Sequence, residues 1–304
     1  MRVARWKNDR QAAFLLMFDD SIPTDIKVVF PELKKRGFIG TFYVNPGRGE
    51  WKPYQEQWEM ELPAAGMVYG NHTMTHQGVR DFADAEQEIG RCNDVILHLF
   101  PGKEPRLISF GLPGVPAGKW NISAEELRTL LAKYHLIERP KFDGHGAMVS
   151  LGTAEQMLAL VDHALETGGM EHIVFHGVGG DWITTPTPIF LALLDGLAAR
   201  EHRLWITDTI SAQKYQTERE TAECRLLESS DQQVRLSLTT KADPEFYDLP
   251  LTIIAAVPRT WTSCTIEGTD HPIKVQNGSV QFDTLPGTAP LTLRPTSASA
   301  AIPK

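Results

Sequence analysis

From about residue 10 to residue 220, short apolar runs alternate with longer amphipathic stretches. Ala13-Phe14-Leu15-Leu16-Met17-Phe18 has no polar position, the pattern of a strand buried on both faces. The next stretch predicts a helix over 24–36, with Thr24 as its N-cap and Gly37 as its stop. Gly40-Thr41-Phe42-Tyr43-Val44 then reads as a second strand. The alternation continues with strands near 106–110, 134–138, 173–175 and 204–206, and helices near 83–100, 123–133, 153–167 and 187–200. Strands alternating with helices imply a parallel sheet with crossover helices, a pattern that an open sheet and a barrel share.

After about residue 221 helical periodicity stops. Short alternating runs replace it: Val234–Leu238, Leu251–Val257, Ile273–Val275, Ser279–Phe282 and Leu291–Leu293. Asn277-Gly278 between two of these runs signals a hairpin. The expectation is therefore an α/β domain over 1–220 and a small antiparallel β-sandwich accessory domain over 221–304. The last ten residues, 295–304, are expected to fray.

Composition narrows the class without naming a function. The 304 residues are 42% hydrophobic and 22% charged, as in ordinary globular proteins. The net charge is −8 and no basic block is present, which argues against a nucleic-acid partner. Cys92, Cys224 and Cys264 are odd in number, far apart and outside any CxxC pair, so neither a disulfide framework nor a structural zinc site is expected. The charged start, residues 1–10, lacks the apolar core of a signal peptide, and no run approaches the length of a membrane span. The chain is expected to be soluble, with its compartment and oligomeric state undetermined.

Three features carry chemistry, and each falls just after a predicted strand. Asp19-Asp20 follows the first apolar run; two adjacent carboxylates there repel unless a positive group compensates, although Asp also favours turns. His72-Thr73-Met74-Thr75-His76 follows Met67–Gly70; a four-residue spacing puts both imidazoles on one face of a helical turn. His176 follows Ile173-Val174-Phe175 and precedes the small-residue loop Gly177–Gly180. Strand ends of an α/β fold converge on one face. One carboxylate and two imidazoles make a facial ligand set with open positions, and a second carboxylate and third imidazole remain for proton transfer, as metal-assisted hydrolysis requires.

These motifs resemble the polysaccharide deacetylase family (carbohydrate esterase family 4, the NodB homology domain). The matching residues are Phe18-Asp19-Asp20-Ser21, His72-Thr73-Met74-Thr75-His76 and Val174-Phe175-His176, within a resemblance spanning about 10–215. The resemblance implies a distorted (β/α)7-type barrel. It further implies that Asp19 is the catalytic base, that Asp20, His72 and His76 hold a divalent metal, usually zinc, and that His176 is the catalytic acid. The implied substrate is an N- or O-acetylated glycan.

The chain departs from the family pattern in two places. Gly111, in Phe110-Gly111-Leu112-Pro113-Gly114, stands where the family commonly has an arginine that orients the catalytic aspartate; some branches of the family lack it, and Arg106 or another cation is a candidate to compensate. The backbone N–H of Gly114 is a candidate oxyanion donor. No fourth motif is recognisable, and Lys141–Gly146 occupies its region, with His145 or Asp143 as candidates for a site role. Trp182, after Asp181, is either a sugar-stacking ring or part of the barrel rim. Other readings are an amidase for a small nitrogen compound on the same scaffold, a non-catalytic carbohydrate-binding homologue, and a tail that serves for docking.

Overall fold

A computed structural model describes residues 1–296. The chain opens on a short strand, β1 (Arg2–Val3), and then enters β2 (Ala12–Asp19), whose eight residues are all buried. Six more parallel strands follow: β3 (Thr41–Val44), β4 (Val68–Asn71), β5 (Ile108–Phe110), β6 (Leu136–Glu138), β7 (Met170–Phe175) and β8 (Leu204–Thr207). The helices are α1 (Phe30–Arg36), α2 (Leu62–Ala64), α3 (Phe82–Leu99), α4 (Ala124–Lys133), α5 (Ala154–Thr167), α6 (Thr187–Ala198) and α7 (Thr209–Glu220).

The strand order is β6-β5-β4-β3-β2-β7, with β8 paired to the first half of β2 and β3 to its last residues. The outer edge of β7 is taken by the segment after β6. Ala147 N donates to the Val174 carbonyl at 2.9 Å, and Val174 N donates to the His145 carbonyl at 2.9 Å. The sheet thus curls round as the expected distorted (β/α) barrel. Because β2 is flanked on both edges and covered on both faces, its sequence is an apolar run rather than an alternation.

Three register-matched rings fix the end of the barrel where the charged residues emerge. Phe18 of β2 pairs in register with Phe42 of β3 and Phe175 of β7. Its ring stacks on theirs at centroid distances of 4.9 Å and 5.4 Å. Offset aromatic contacts of this kind add to the stabilisation from area burial alone. Asp19 and His176 each lie one residue beyond this layer, so packing beneath sets where both start.

Two local expectations are corrected. Thr24 does not cap the helix that follows: its backbone is helical, and its hydroxyl accepts a hydrogen bond from Val178 N at 3.2 Å. The first turn, Asp25–Val29, is a π-helix that runs into α1, and Gly37 ends α1 in the left-handed conformation at φ 67° as predicted. The segment 72–76 is not a helical turn but an irregular loop, with positive φ at Thr73 (67°) and His76 (59°). By contrast, Ser123 and Thr153 each form a full capping box at the heads of α4 and α5.

Contacts divide the chain into Gln11–Ala212 and a second unit made of Met1–Arg10 with Gln213 onward. The second unit contains β9 (Glu223–Ser229), β10 (Val234–Thr239), β11 (Leu251–Ala256), β12 (Ser263–Ile266), β13 (Ile273–Lys274), β14 (Ser279–Thr284) and β15 (Leu291–Pro295). They form two antiparallel sheets, β1-β11-β14 and β13-β12-β15-β10-β9. The first ten residues therefore belong with the tail, because β1 pairs with β11. Asn277 and Gly278 both have positive φ (52° and 71°), as a type I′ hairpin turn requires. Most of the segment expected to fray, 297–304, lies outside the described residues. The three cysteines are unpaired, and among the described residues no helix is long and apolar enough to cross a membrane.

Glu218 of α7 is fully buried in this second unit; one carboxylate oxygen accepts from Leu249 N at 3.3 Å, and Oε1 has no partner. Burial raises its pKa from 4.5 to about 7. A carboxyl raised in the folded state contributes stability that is full below pH 4.5 and is lost as pH climbs through about 7. Glu218→Gln is expected to flatten the fall in melting temperature between these pH values, as read by calorimetry. An unchanged slope would rule out Glu218 as its source.

Candidate active site

β2 delivers Asp19 as its last residue, and the chain then turns through positive φ at Asp20 (80°) and Ser21 (51°). This reversal gives the adjacent carboxylates different neighbours. Ser21 Oγ accepts from Asn45 N at 2.9 Å, pinning the turn to the loop after β3. Asn45 in turn donates its side-chain amide to the carbonyls of His72 and Thr73. Asn71, the last residue of β4, accepts from Thr73 N at 3.0 Å and donates to the Ile89 carbonyl at 2.9 Å. Two buried asparagines thus hold the His72–His76 loop in its irregular path.

Asp20, His72 and His76 converge. Nε2 of His72 lies 3.6 Å and Nε2 of His76 3.3 Å from Asp20 Oδ1. That oxygen is buried and has no hydrogen-bond partner. An orphaned carboxylate oxygen facing two imidazole nitrogens is what a divalent-cation ligand set looks like. His72 Nδ1 donates to the Gly111 carbonyl at 2.7 Å, which leaves the Nε2 lone pair directed at Asp20. Burial pushes the His72 imidazole down to about 4, so it is neutral near pH 7, as a ligand must be. Residues and environment fit a bound divalent ion. Arg48 also approaches, with Nη1 3.8 Å from Asp20 Oδ1.

Asp19 has a different set of partners. Both its oxygens accept from Arg139, Oδ1 from Nη1 and Oδ2 from Nη2 at 2.9 Å, a bidentate pair. Burial alone would raise Asp19, but Arg139, with His72 and His176 behind it, outweighs burial and holds the carboxyl at about 2. The guanidinium sits over the Tyr43 ring at 4.5 Å. His176 lies beyond, its Nε2 4.0 Å from Asp19 Oδ2, its Nδ1 buried without a partner and its ring edge-on to Phe142 at 6.1 Å. Asp25, also buried nearby, is pushed well above the carboxylate range by burial, with Asp20 and Asp19 adding to the rise.

The five residues singled out in the sequence meet here, and Arg139 is the one that sequence reasoning missed. Arg106 bonds instead to the Leu97 carbonyl at 3.5 Å. Arg139 follows β6, and its backbone N donates to the Phe110 carbonyl at 2.9 Å, one residue before Gly111. A Cβ at Gly111 would come within 3.1 Å of Arg139 Cζ and 2.9 Å of the Tyr43 ring. The missing side chain at 111 is thus the space that the guanidinium fills. The signal was a strand-end arginine beside a glycine in the expected arginine position. His145 is not brought to this centre: it bonds to the Asp143 carbonyl and to Glu171. Trp182 is 67% exposed, which disfavours a packed-rim role. Asp181 ties its own loop down by accepting from Thr24 N at 2.8 Å.

Residues 7–131 match the polysaccharide deacetylase family model, which bears out the resemblance read from the motifs. Solved structures similar to the chain include a family 4 carbohydrate esterase from Streptomyces lividans in complex with acetate, at 20% identity and a TM-score of 0.46, covering 64% of this chain and 91% of that one. Another is the peptidoglycan deacetylase PdaC from Bacillus subtilis, at 17% identity and a TM-score of 0.45, covering 67% of this chain and 91% of that one. A CE4 family pseudoenzyme from Bacillus anthracis is similar at 14% identity and a TM-score of 0.45, covering 66% of this chain and 64% of that one. No curated protein sequence matches the chain.

Removing one member of a buried ion pair strands the other. Arg139→Met is expected to lower unfolding free energy by about 3–5 kcal/mol in urea denaturation. Adding Asp19→Asn to it should recover a large part of that loss. Additive single effects would show that the pair is not coupled.

Proposed function

We propose that this chain is a metal-dependent deacetylase that hydrolyses the acetamide or acetate ester of an N- or O-acetylated carbohydrate. The observation that carries the reading is the division of labour between two adjacent carboxylates. Asp19 has both oxygens satisfied by Arg139, while Asp20 presents an unpartnered oxygen to His72 and His76. On this reading Asp20, His72 and His76 hold a divalent ion, zinc being the best match to an N2O ligand set. Such an ion supplies Lewis-acid polarisation of the acetyl carbonyl and lowers the pKa of water at the site.

The chain's own residues do the remaining work. Asp19 is ionised at neutral pH and accepts the proton of the attacking water. Arg139 keeps that carboxylate charged and fixes its plane. His176, with Nε2 4.0 Å from Asp19 Oδ2, donates the proton to the departing amine or alkoxide. The Gly114 N–H is the candidate donor to the developing oxyanion, and Trp182 offers an exposed ring for a sugar face. The barrel carries the chemistry, and the C-terminal sheets serve as an accessory unit. The non-catalytic reading rests on the absent arginine at 111, and the bidentate pair of Arg139 with Asp19 supports the catalytic reading instead.

Purified chain is expected to release acetate from acetylated glycans, to lose that activity to a chelator, and to regain it on adding zinc. Asp19→Asn should cut the rate by about 10²–10⁴-fold while keeping the metal. Arg139→Lys, which keeps the charge without the fork, should cut it about 10–100-fold. No acetate release from chitin oligomers, peptidoglycan or acetylated xylan by the metal-loaded protein would overturn the reading.

A further inference from the structure

The second unit carries two adjoining hollows, both lined by its own residues. The first, of about 630 Å³, lies between the segment that leads into β12 and the hairpin that joins β13 to β14. Arg259, Trp261 and Thr262 line one side, and Lys274, Val275 and Asn277 the other. Two backbone bonds tie the sides together: Val257 N donates to the Gly278 carbonyl at 2.9 Å, and Val275 N donates to the Thr262 carbonyl at 3.0 Å. The second hollow, of about 590 Å³, shares Lys274 and Asn277 and continues past Gln276 and Gln281 to Asp9. Together they form one trough along the hairpin, within the size range of ligand sites.

The polar groups of the first hollow are free to bind. No carboxylate lines it, although the chain carries a net charge of −8. Among the described residues neither Arg259 nor Lys274 has an ion-pair partner. Arg2, Arg225, Arg235 and Arg294 of the same unit each stand against a carboxylate. Thr262 and Asn277 are exposed, and their side chains are likewise unpartnered among the described residues. Asp9, the one acid of the second hollow, is already held by Arg2 in a bidentate pair at 2.9 Å and 2.8 Å. Packing sets these groups in place. Asn277 and Gly278 hold the left-handed turn, and a Cβ on Gly278 would lie 3.6 Å from Arg259 Cγ, so the arginine stem rests beside that turn. Trp261 is buried, and its Nε1 donates to the Asp231 carbonyl at 2.9 Å, which fixes the ring as part of the wall.

The geometry points to a binding site for an anionic glycan in this trough. Arg259 and Lys274 take a carboxylate or phosphate group of the strand, and Thr262, Asn277 and the accessible part of Trp261 take its sugar hydroxyls and ring. A guanidinium matches either anion through a bidentate contact, and the ammonium adds a point charge. Two cations suit a sparsely charged strand. Duplex DNA carries one charge about every 1.7 Å, and anionic membrane surfaces recruit clusters of about 4–8 Lys and Arg; the trough matches neither. None of its residues belongs to the Asp20 centre, so the site stands or falls independently of the proposed function.

Calorimetric titration of the full chain tests this with two anionic probes, oligogalacturonate for carboxylate and a glycerol phosphate oligomer for phosphate. At least one is expected to bind, more weakly as salt rises. Arg259→Gln/Lys274→Gln should weaken that binding about tenfold or more. Asn277→Gly, which keeps the turn but removes the amide, should weaken it about threefold. Arg225→Gln, a charge change outside the trough, should leave it unaltered, with circular dichroism reporting the fold of each variant. Whichever probe binds names the anion. The proposal is overturned if neither probe binds, or if Arg259→Gln/Lys274→Gln binds as tightly as the parent chain. It is equally overturned if neutral chitin oligomers, duplex DNA or phosphatidylserine vesicles bind as tightly as the anionic oligomers with the same dependence on Arg259 and Lys274.

Discussion

Two negative charges on consecutive residues at the buried end of a central strand are the constraint around which this barrel end is built. Asp19 is 2% and Asp20 7% exposed, so water cannot screen them from each other. The positive φ at Asp20 and Ser21 gives the two carboxylates different main partners, although His72 Nε2 stands near both, 3.9 Å from Asp19 Oδ2 and 3.6 Å from Asp20 Oδ1. One receives a buried guanidinium on both oxygens and the other receives imidazole nitrogens. The surroundings support this arrangement: Asn45 and Asn71 stiffen the histidine loop, Gly111 leaves room for Arg139, and the Phe18–Phe42–Phe175 layer fixes the floor.

Charge compensation is also what the proposed reading relies on, since it would let one carboxylate act as a base and its neighbour as a ligand. An acid held at about 2 stays ionised across the physiological range, so Asp19 is always ready to accept a proton, although a carboxylate this weakly basic has little driving force of its own. Holding its plane by a bidentate fork substitutes orientation for basicity. Asp20 retains an oxygen that no protein donor reaches, and a buried unsatisfied carboxylate is costly unless a cation completes it. The same residues that would be a defect in a structural core would form a coherent set around an ion.

Much of this was legible in the sequence because it is local. The apolar run ending in Asp19-Asp20, the HxxxH pair and the strand before His176 are each contiguous, and the strand-end rule gathers them on one face. Most barrel helices and strands were legible for the same reason, since period and caps are written within about fifteen residues. The Thr24 cap failed because its backbone is itself helical and its hydroxyl takes a tertiary donor, Val178 N. The HxxxH turn was misread as helical because spacing fixes proximity but not backbone. The N-terminal strand could not be assigned to the tail, since its partner β11 lies some 250 residues on and two residues carry no period.

Arg139 was illegible for a deeper reason: it reaches Asp19 across 120 residues, and only the curl of the sheet brings β6's end over β2's end. Yet the position is not arbitrary. Gly111 and Arg139 lie at the ends of β5 and β6, which pair in parallel with Phe110 opposite Glu138, so each is one residue past the matched pair. A guanidinium starting from either strand end can enter the same volume above Tyr43, provided the other strand end gives it up. What the site demands is a cation in that volume with two donors aimed at Asp19, and neighbouring parallel strands offer two equivalent origins for it. A glycine in the expected arginine position is therefore half of a signal. The other half is an arginine one residue past the end of the next strand, as Arg139 is here.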